Sequence, residues 1–413
     1  MNKDIESLLE AREKRHSHAV NLSLDLDRVV TVAKVNMPGI GKNTAESGVV
    51  LNIMTRLLRS LFDARFHSRV QSPDGDYHIF VLEEDVKKVK RVMVYLEKTH
   101  PLGRLMDLDV YTAGRGFSRS EIGMNPRKCF LCDKDAFLCA REKTHSLKEM
   151  NAHIVSKVRG FLLDALTKES EHALLKELYL SPCFSLVGPA GSKLHKDMNI
   201  SHFLSSIQAL KPYFRHYLAI GMDLNRHYHT LRKTGLQGEK AMFEATGGVN
   251  THKGAHFIFG LTLPVFMDCV LNGASFESFK DALKAMASVL LKEDFKTLKT
   301  PLTTGEMLYL NHGVEGIRGE ALRGFPGVFE WYPKKDESGF EKLLRIMARI
   351  DDTTLLKRDI DIASMKKALL SCENKGFKGL DDIAGHYSHA SPGGAADLLA
   401  LVYFLEASDH LLK

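Results

Sequence analysis

RKCFLCDKDAFLCAREKTHS (Arg127–Ser146) and GFLLDALTKESEHALLKELYL (Gly160–Leu180) bracket the point at which the chain changes period. After Ser146 apolar residues recur at three- and four-residue spacing, the mark of helices with one buried face. The same spacing runs through ISHFLSSIQALKPYFRHYLAIGMDL, GAHFIFGLTLPVFMDCVL, ASFESFKDALKAMASVLLKEDF, GFEKLLRIMARI and AADLLALVYFLEASDHLLK. Short Gly, Pro and Asn stretches separate them. Before Arg127 the pattern is mixed. Residues 3–18 read as a charged helix. DRVVTVAKVNM (Asp27–Met37) is β-branched and reads as a strand, and Glu46–Phe62 has helical spacing. After the turn SPDGD (Ser72–Asp76) come a strand YHIFVLE, an amphipathic helix DVKKVKRVMVYLEKT, and LMDLDVYT (Leu105–Thr112), which alternates as a strand does. The expected fold is multidomain: an N-terminal α+β domain with at least three strands over residues 1–155, followed by an all-α C-terminal domain over 156–413.

Length supports two domains, since 413 residues exceed what one core usually serves. The composition, 44% hydrophobic and 26% charged, is that of a soluble globular protein. The net charge of +6 is a mild excess that suits polyanionic substrates or an acidic protein partner. No Lys/Arg block and no aromatic-interleaved basic stripe points to nucleic acid. The charged N-terminus lacks an apolar signal core, no apolar run is expected to span a membrane, and the six cysteines are read as reduced thiols of a cytoplasmic protein.

In the first domain Asp107 and Asp109 form a D-x-D on an expected strand, so both carboxylates share one face. Such a pair is an ordinary way to hold Mg²⁺ against substrate phosphates, although an acidic strand face is the plainer alternative. Gly103-Arg104 before it offers a phosphate-binding fork, and Gly39–Asn43 is a basic turn carrying Lys42. Cys129, Cys132, Cys139 and His145 supply the ligand types of a zinc site, set against a plain cluster of buried thiols.

In the second domain the richest stretch is TGGVNTHKGAHF (Thr246–Phe257). A glycine turn that feeds a helix presents free amides and the positive end of a dipole to an anion. Gly247, Gly248, Asn250, Thr251, His252 and Lys253 are the candidates. The spacing is neither a Walker A loop nor a dinucleotide fingerprint. Four other polar loops sit at helix junctions. They carry Ser192, His195, Asp197 and Asn199; Glu315, Arg318, Glu320 and Arg323; Asp351–Arg358; and Ser391, Gly393, Gly394 and Asp397. Glu239 precedes the glycine turn. Taken together these loops suggest one bundle-mouth site for chemistry on a nucleotide with Mg²⁺.

HPLGRLMDLDVY and SRSEIGMNPRKCFLCDKDAFLCAREKTHS resemble the apo-citrate lyase phosphoribosyl-dephospho-CoA transferase (holo-acyl-carrier-protein synthase) family. ATGGVNTHKGAHF, GIRGEALRGFP and SPGGAADLLALVYFL resemble the triphosphoribosyl-dephospho-CoA synthase family. The first resemblance covers roughly residues 10–155 and the second roughly 160–413, as in a fusion of the two enzymes. It implies two reactions. The ribose 2′-hydroxyl of 3′-dephospho-CoA attacks the anomeric carbon of ATP, adenine leaves, and the triphosphate is kept. A serine of the apo acyl carrier subunit of citrate lyase then attacks the α-phosphorus of that product, and pyrophosphate leaves. The precursor synthase of the malonate decarboxylase system, and a zinc-lobed binding or regulatory protein, are the alternatives.

On this resemblance the triphosphate of ATP is expected on the amides of Gly247–Thr251 with Lys253 and Arg318. Mg²⁺ is expected on Asp197 and Glu320. Asp197 or His195 would be the base, and Glu239 or Glu320 would protonate adenine. In the first domain Asp107 and Asp109 would hold Mg²⁺, and Arg104 and Lys42 would neutralise pyrophosphate. The chain departs from the synthase pattern at Gly188, where an acid is usual, and at Ser192-Lys193-Leu194-His195.

Overall fold

A computed structural model describes residues 3–189, 191, 194–291, 307, 309–311, 313–333, 336–356 and 361–412. The chain divides into two compact units, Met1–Leu162 with Val270–Gly273, and Leu163–Cys269 with Ala274–Lys413. The division falls inside one long helix.

The first unit is a sheet with helices on both faces. Its elements run α1 (Lys3–Asp25), β1 (Val29–Val35), α2 (Ala45–Leu61), β2 (Ala64–Val70), β3 (Tyr77–Leu82), α3 (Val86–Thr99), β4 (Met106–Thr112), β5 (Arg115–Phe117), α4 (Ala136–Arg141) and the start of α5 (Leu147–Leu178). The strand order is β2-β3-β1-β4-β5 and every pairing is antiparallel. β1 lies in the middle with all seven residues buried, which suits its β-branched start Val29–Val32, with Lys34 its one charged residue. Val30, Val32, Ile79, Val81 and Tyr111 face Ala19 of α1, while α2 and α3 cover the other face. Thr44 caps α2 through a capping box and Asp85 caps α3, so both helices start where their first apolar residues require. Two strands escape the sequence pattern. β2 is an edge strand with mostly exposed or half-exposed residues, and β5 has three residues. Neither shows the alternation that identifies a half-buried strand. The N-terminal helix runs on to Asp25, seven residues past the charged stretch that marks it in the sequence.

The second unit has helices and no strand among its described residues. Two of its helices are apolar all round and form the centre: α9 (Lys253–Leu271) and the C-terminal helix Gly393–Ser408. Phe259 and Phe266 of α9 meet Phe404 at ring separations of 5.8 and 5.2 Å. Also in this unit are α6 (Ile200–Gly221), α7 (Leu224–His227), α8 (Leu231–Ala245) and α10 (Phe276–Leu291). α9 alone among the described helices is long and apolar enough to cross a membrane, which the sequence pattern did not lead us to expect. Its most apolar stretch is 72% buried inside the protein, as a core helix is.

Candidate active sites

In the first unit, β4 places Asp107 and Asp109 on the face that α1 covers, as the strand period requires. Lys34 of β1 pairs in register with Asp107, and its Nζ lies 3.9 Å from Asp107 Oδ2 and 3.3 Å from Asp74 Oδ2. Asp74 is fully buried. It is gripped by Arg15, by Lys42 at 2.6 Å and by Arg12 at 3.2 Å. Burial opposes its charge, but hydrogen bonds from Lys42 and Arg15 and the Lys34 charge hold its carboxyl well below the usual range. Lys42 and the acidic pair thus belong to one continuous cluster, joined through Lys34. Lys42 is not free, however, because it is tied to Asp74, a residue that reads only as part of a turn in the sequence. Four cations facing one buried carboxylate leave a net positive cluster, a charge that suits a polyphosphate.

The other flank is acidic and basic in alternation. β5 is too short to cover Leu108, whose N–H is taken by Glu97 Oε1 at 3.2 Å. Glu97 also pairs with Arg119 and Arg127, and Arg127 Nη1 donates to Asp107 Oδ1 at 2.8 Å. Arg104 sits beside Arg127 and Cys129, with burial and the Arg127 charge lowering its pKa. Burial, then the neighbouring Asp107, raises the carboxyl of Asp109. Cys129, Cys132, Cys139 and His145 come together, with their ligand atoms all within 4.8 Å of one another.

In the second unit a cavity of about 700 Å³ gathers His195, Glu239, Asn250, Thr251, His252, Lys253, Arg318 and Glu320 in one wall system. Asp197, Gly247 and Gly248 are not among its lining residues, and Asp197 is exposed. Ser192, Lys193 and the end of the Asp351–Arg358 loop lie outside the described residues. His195 Nε2 lies 2.9 Å from Ser391 Oγ.

The glycine turn has a narrower role than its sequence suggests. Gly247 and Gly248 have φ of +63° and +89°. The Gly248 amide donates to Phe243 O at 2.7 Å and the Val249 amide to Thr246 O at 3.3 Å. These amides therefore finish α8, in the left-handed manner glycine allows. The segment from Asn250 onward opens α9. Lys253 Nζ is 2.7 Å from Glu239 Oε1, so the candidate cation and the candidate proton donor form one ion pair. His252 and His256 are buried. Burial pushes His252 down to about 3 and lowers His256, so both are neutral near pH 7. Glu320 is 4% exposed, accepts the Gly327 amide at 3.1 Å and pairs with Arg323 at 3.0 Å, which fixes it as a local brace.

Three deeper carboxylates dominate the electrostatics: Glu177, Asp352 and Asp397. All line the cavity. Asp352 caps the helix Gly393–Ser408, accepting the Ala395 amide at 2.9 Å, and also accepts Thr354 Oγ1 at 2.6 Å. Asp397 accepts the Ala255 amide at the start of α9. Its carboxylate comes so close to Gly254 that a Cβ there would overlap it, which only glycine avoids. The two helix N-termini where an anion would bind are thus already filled by protein carboxylates. Burial, then Glu177, then Asp352, raises Asp397 well above the usual range, and burial raises Asp352. Burial pushes Glu177 up from 4.5 to about 7. Asp352 lies in a polar loop that the sequence displays, and Asp397 in the polar stretch that opens the helix Gly393–Ser408. Glu177 carries no such signal, because it sits within the apolar spacing of α5.

A raised carboxyl in the folded state costs stability as pH rises. The unfolded Glu177 ionises near 4.5, while the folded one keeps its proton to about 7, so stability falls across that window. At about 1.4 kcal/mol per pH unit the whole interval is worth at most about 3.5 kcal/mol. Glu177→Gln is therefore expected to match the parent at pH 4.5 and to exceed it by up to about 3.5 kcal/mol at pH 8. Denaturant unfolding of this unit at the two pH values checks it, and equal stability at both pH values would contradict it.

The apo-citrate lyase phosphoribosyl-dephospho-CoA transferase family model matches residues 3–161, and the ATP:dephospho-CoA triphosphoribosyl transferase model matches residues 164–413. Protein CitXG of Leuconostoc mesenteroides subsp. cremoris is 32% identical, with 96% of each chain covered. Protein CitXG of Haemophilus influenzae is 31% identical over 97% of this chain and 95% of its own. The 2-(5''-triphosphoribosyl)-3'-dephosphocoenzyme-A synthase of Pectobacterium atrosepticum is 34% identical over 60% of this chain and 90% of its own. The chain therefore belongs to the CitXG family, bifunctional transferases that unite synthesis of the citrate lyase prosthetic group precursor with its attachment.

Proposed function

We propose that the two reactions are divided between two domains that correspond to the two units. The second makes 2′-(5″-triphosphoribosyl)-3′-dephospho-CoA from ATP and 3′-dephospho-CoA, and the first transfers the phosphoribosyl-dephospho-CoA to a serine of the apo acyl carrier subunit. The observation that carries the division is the composition of the two sites. The cavity of the second unit is lined by buried carboxylates. The cluster of the first is cationic around Asp74 and ends on Asp107 and Asp109.

Those compositions suit different charge changes. In the synthase step the C–N bond to adenine breaks at an anomeric carbon, which develops positive charge. Burial raises Glu177, Asp352 and Asp397, and positive charge developing beside them would draw them into the ionised form that stabilises such a centre. His195 is the base for the attacking 2′-hydroxyl, and the Lys253–Glu239 pair meets the spectator triphosphate and the departing adenine. Arg318 adds charge at the same wall. In the transfer step phosphorus is attacked and pyrophosphate leaves, so negative charge must be neutralised. Lys34, Lys42, Arg15 and Arg104 serve that end.

Mg²⁺ fits both donor sets, since Mg²⁺ is commonly held by one or two carboxylates together with substrate phosphates. In the first unit Asp107 and Asp109 would hold it, and in the second Asp352 and Asp397 replace the exposed Asp197. When bound, the ion supplies neutralisation of the phosphate charge. The partners are ATP, 3′-dephospho-CoA and the apo carrier subunit. A cytoplasmic setting suits six unpaired cysteines.

Purified protein incubated with ATP, Mg²⁺ and 3′-dephospho-CoA is expected to release free adenine and to keep the triphosphate intact. Chromatography reads both. Release of phosphate or pyrophosphate without adenine would remove the synthase assignment.

A further inference from the structure

We propose that Cys129, Cys132, Cys139 and His145 bind one structural zinc ion, and that this ion holds Arg127 against Asp107. Three observations converge on the metal. The first is geometry. The four ligand atoms lie within 4.8 Å of one another, and Cys132 Sγ is 3.9 Å from Cys139 Sγ. A tetrahedral zinc with bonds of about 2.3 Å to sulfur separates its sulfurs by about 3.8 Å. The second is an unmet polar atom. His145 Nε2 is buried and has no hydrogen-bond partner, a costly state that a metal bond relieves.

The third is the poverty of the lobe itself. Residues 127–146 contain one isolated bridge, Lys128 with Asp135, and a helix of six residues, α4. Phe137 and Leu138 of that helix are 72% and 50% exposed, and Cys139 is its one buried residue. A segment with so small a core needs a staple to hold one conformation. The Leu131 amide points at Cys129 Sγ at 3.4 Å, the kind of contact that orients a ligating thiolate. Three sulfurs and one imidazole select a borderline-soft ion over Mg²⁺ or Ca²⁺, and iron–sulfur clusters are usually held by four cysteines. Four protein ligands close the coordination sphere, so the role is structural.

The lobe is joined to the acidic pair by its first residue. The Ala136 amide donates to Arg127 O at 2.9 Å, and the Cys129 amide to Lys134 O at 2.8 Å. Zinc closes the loop that these bonds begin, which fixes the backbone at Arg127. From there the guanidinium reaches Glu97 and Asp107. This second half of the proposal rests on the assignment of Asp107 to the transfer site; the metal itself does not.

Elemental analysis of the full chain, purified without added metal, is expected to give one zinc per chain. Cys132→Ser with Cys139→Ser should remove it, whereas Cys183→Ser should retain it. Cobalt exchanged into the parent should give the intense visible absorption of a tetrahedral thiolate site, a readout that needs no variant to fold. Absence of zinc together with absence of that cobalt spectrum would overturn the metal site. Zinc retained by the double variant would overturn the ligand set. For the positioning role, stripping the metal from the full chain should lower carrier labelling by about tenfold or more while adenine release stays within about twofold. Re-addition of zinc should restore it. Unchanged labelling by stripped protein would overturn the positioning role and leave the metal site standing.

Discussion

Asp107→Asn is expected to lower labelling of the acyl carrier subunit by about 10²–10³-fold and to leave adenine release within about twofold. The exchange keeps the shape of the side chain and removes its charge. Lys34, 3.9 Å away, and Arg127 at 2.8 Å then lose their common counter-charge at the point where, on the proposed assignment, pyrophosphate departs. Asp109 stands two residues on along β4, half-buried like Asp107, and does not make the hydrogen bond that Arg127 donates to Asp107. Mass spectrometry of the carrier and chromatography of adenine give the two rates from one reaction mixture. Equal loss of both would mean that the acidic pair serves the whole protein and not one reaction.

Asp397→Asn is expected to act in the opposite unit and in two directions at once. Adenine release should fall by about 10²-fold or more. Stability of this unit at pH 8 should rise, because a buried carboxyl pushed up by Glu177 and Asp352 is replaced by a neutral amide. The amide oxygen can still accept the Ala255 N–H, so the start of α9 stays capped. A gain in melting temperature joined to a loss of activity is what a functional charge held at a cost would give. A destabilised variant would show that Asp397 is a structural cap and nothing more.

The chain shows in its sequence what depends on local order. Strand β4 was legible because MDLDVYT alternates, and that alternation also put Asp107 and Asp109 on one face. Several long helices of the second unit were legible from their spacing, α9 and Gly393–Ser408 were legible as apolar runs, and α8 and the helix Ile362–Asn374 were not read. β2 was not, since an edge strand with exposed ARFHSRV side chains has no buried face to impose a pattern. The sites were legible as loops and not as partners. Gly248 reads as an anion-binding amide but closes α8, a distinction set by whether the carbonyl of Phe243 is within reach. Asp197 and Asp397 both lie in glycine-bearing polar stretches, and only tertiary packing decides that the second meets the cavity and the first meets solvent. Asp74 and Glu177 had no signal, because a turn and an amphipathic helix account for them without any site.

The most direct test of the division of labour is to supply the intermediate. The Asp397→Asn protein, given synthetic 2′-(5″-triphosphoribosyl)-3′-dephospho-CoA and apo carrier subunit, should label the carrier at the parent rate although it makes the intermediate from ATP far more slowly. Labelling that stays as low as adenine release, with the intermediate present in excess, would contradict two separate sites.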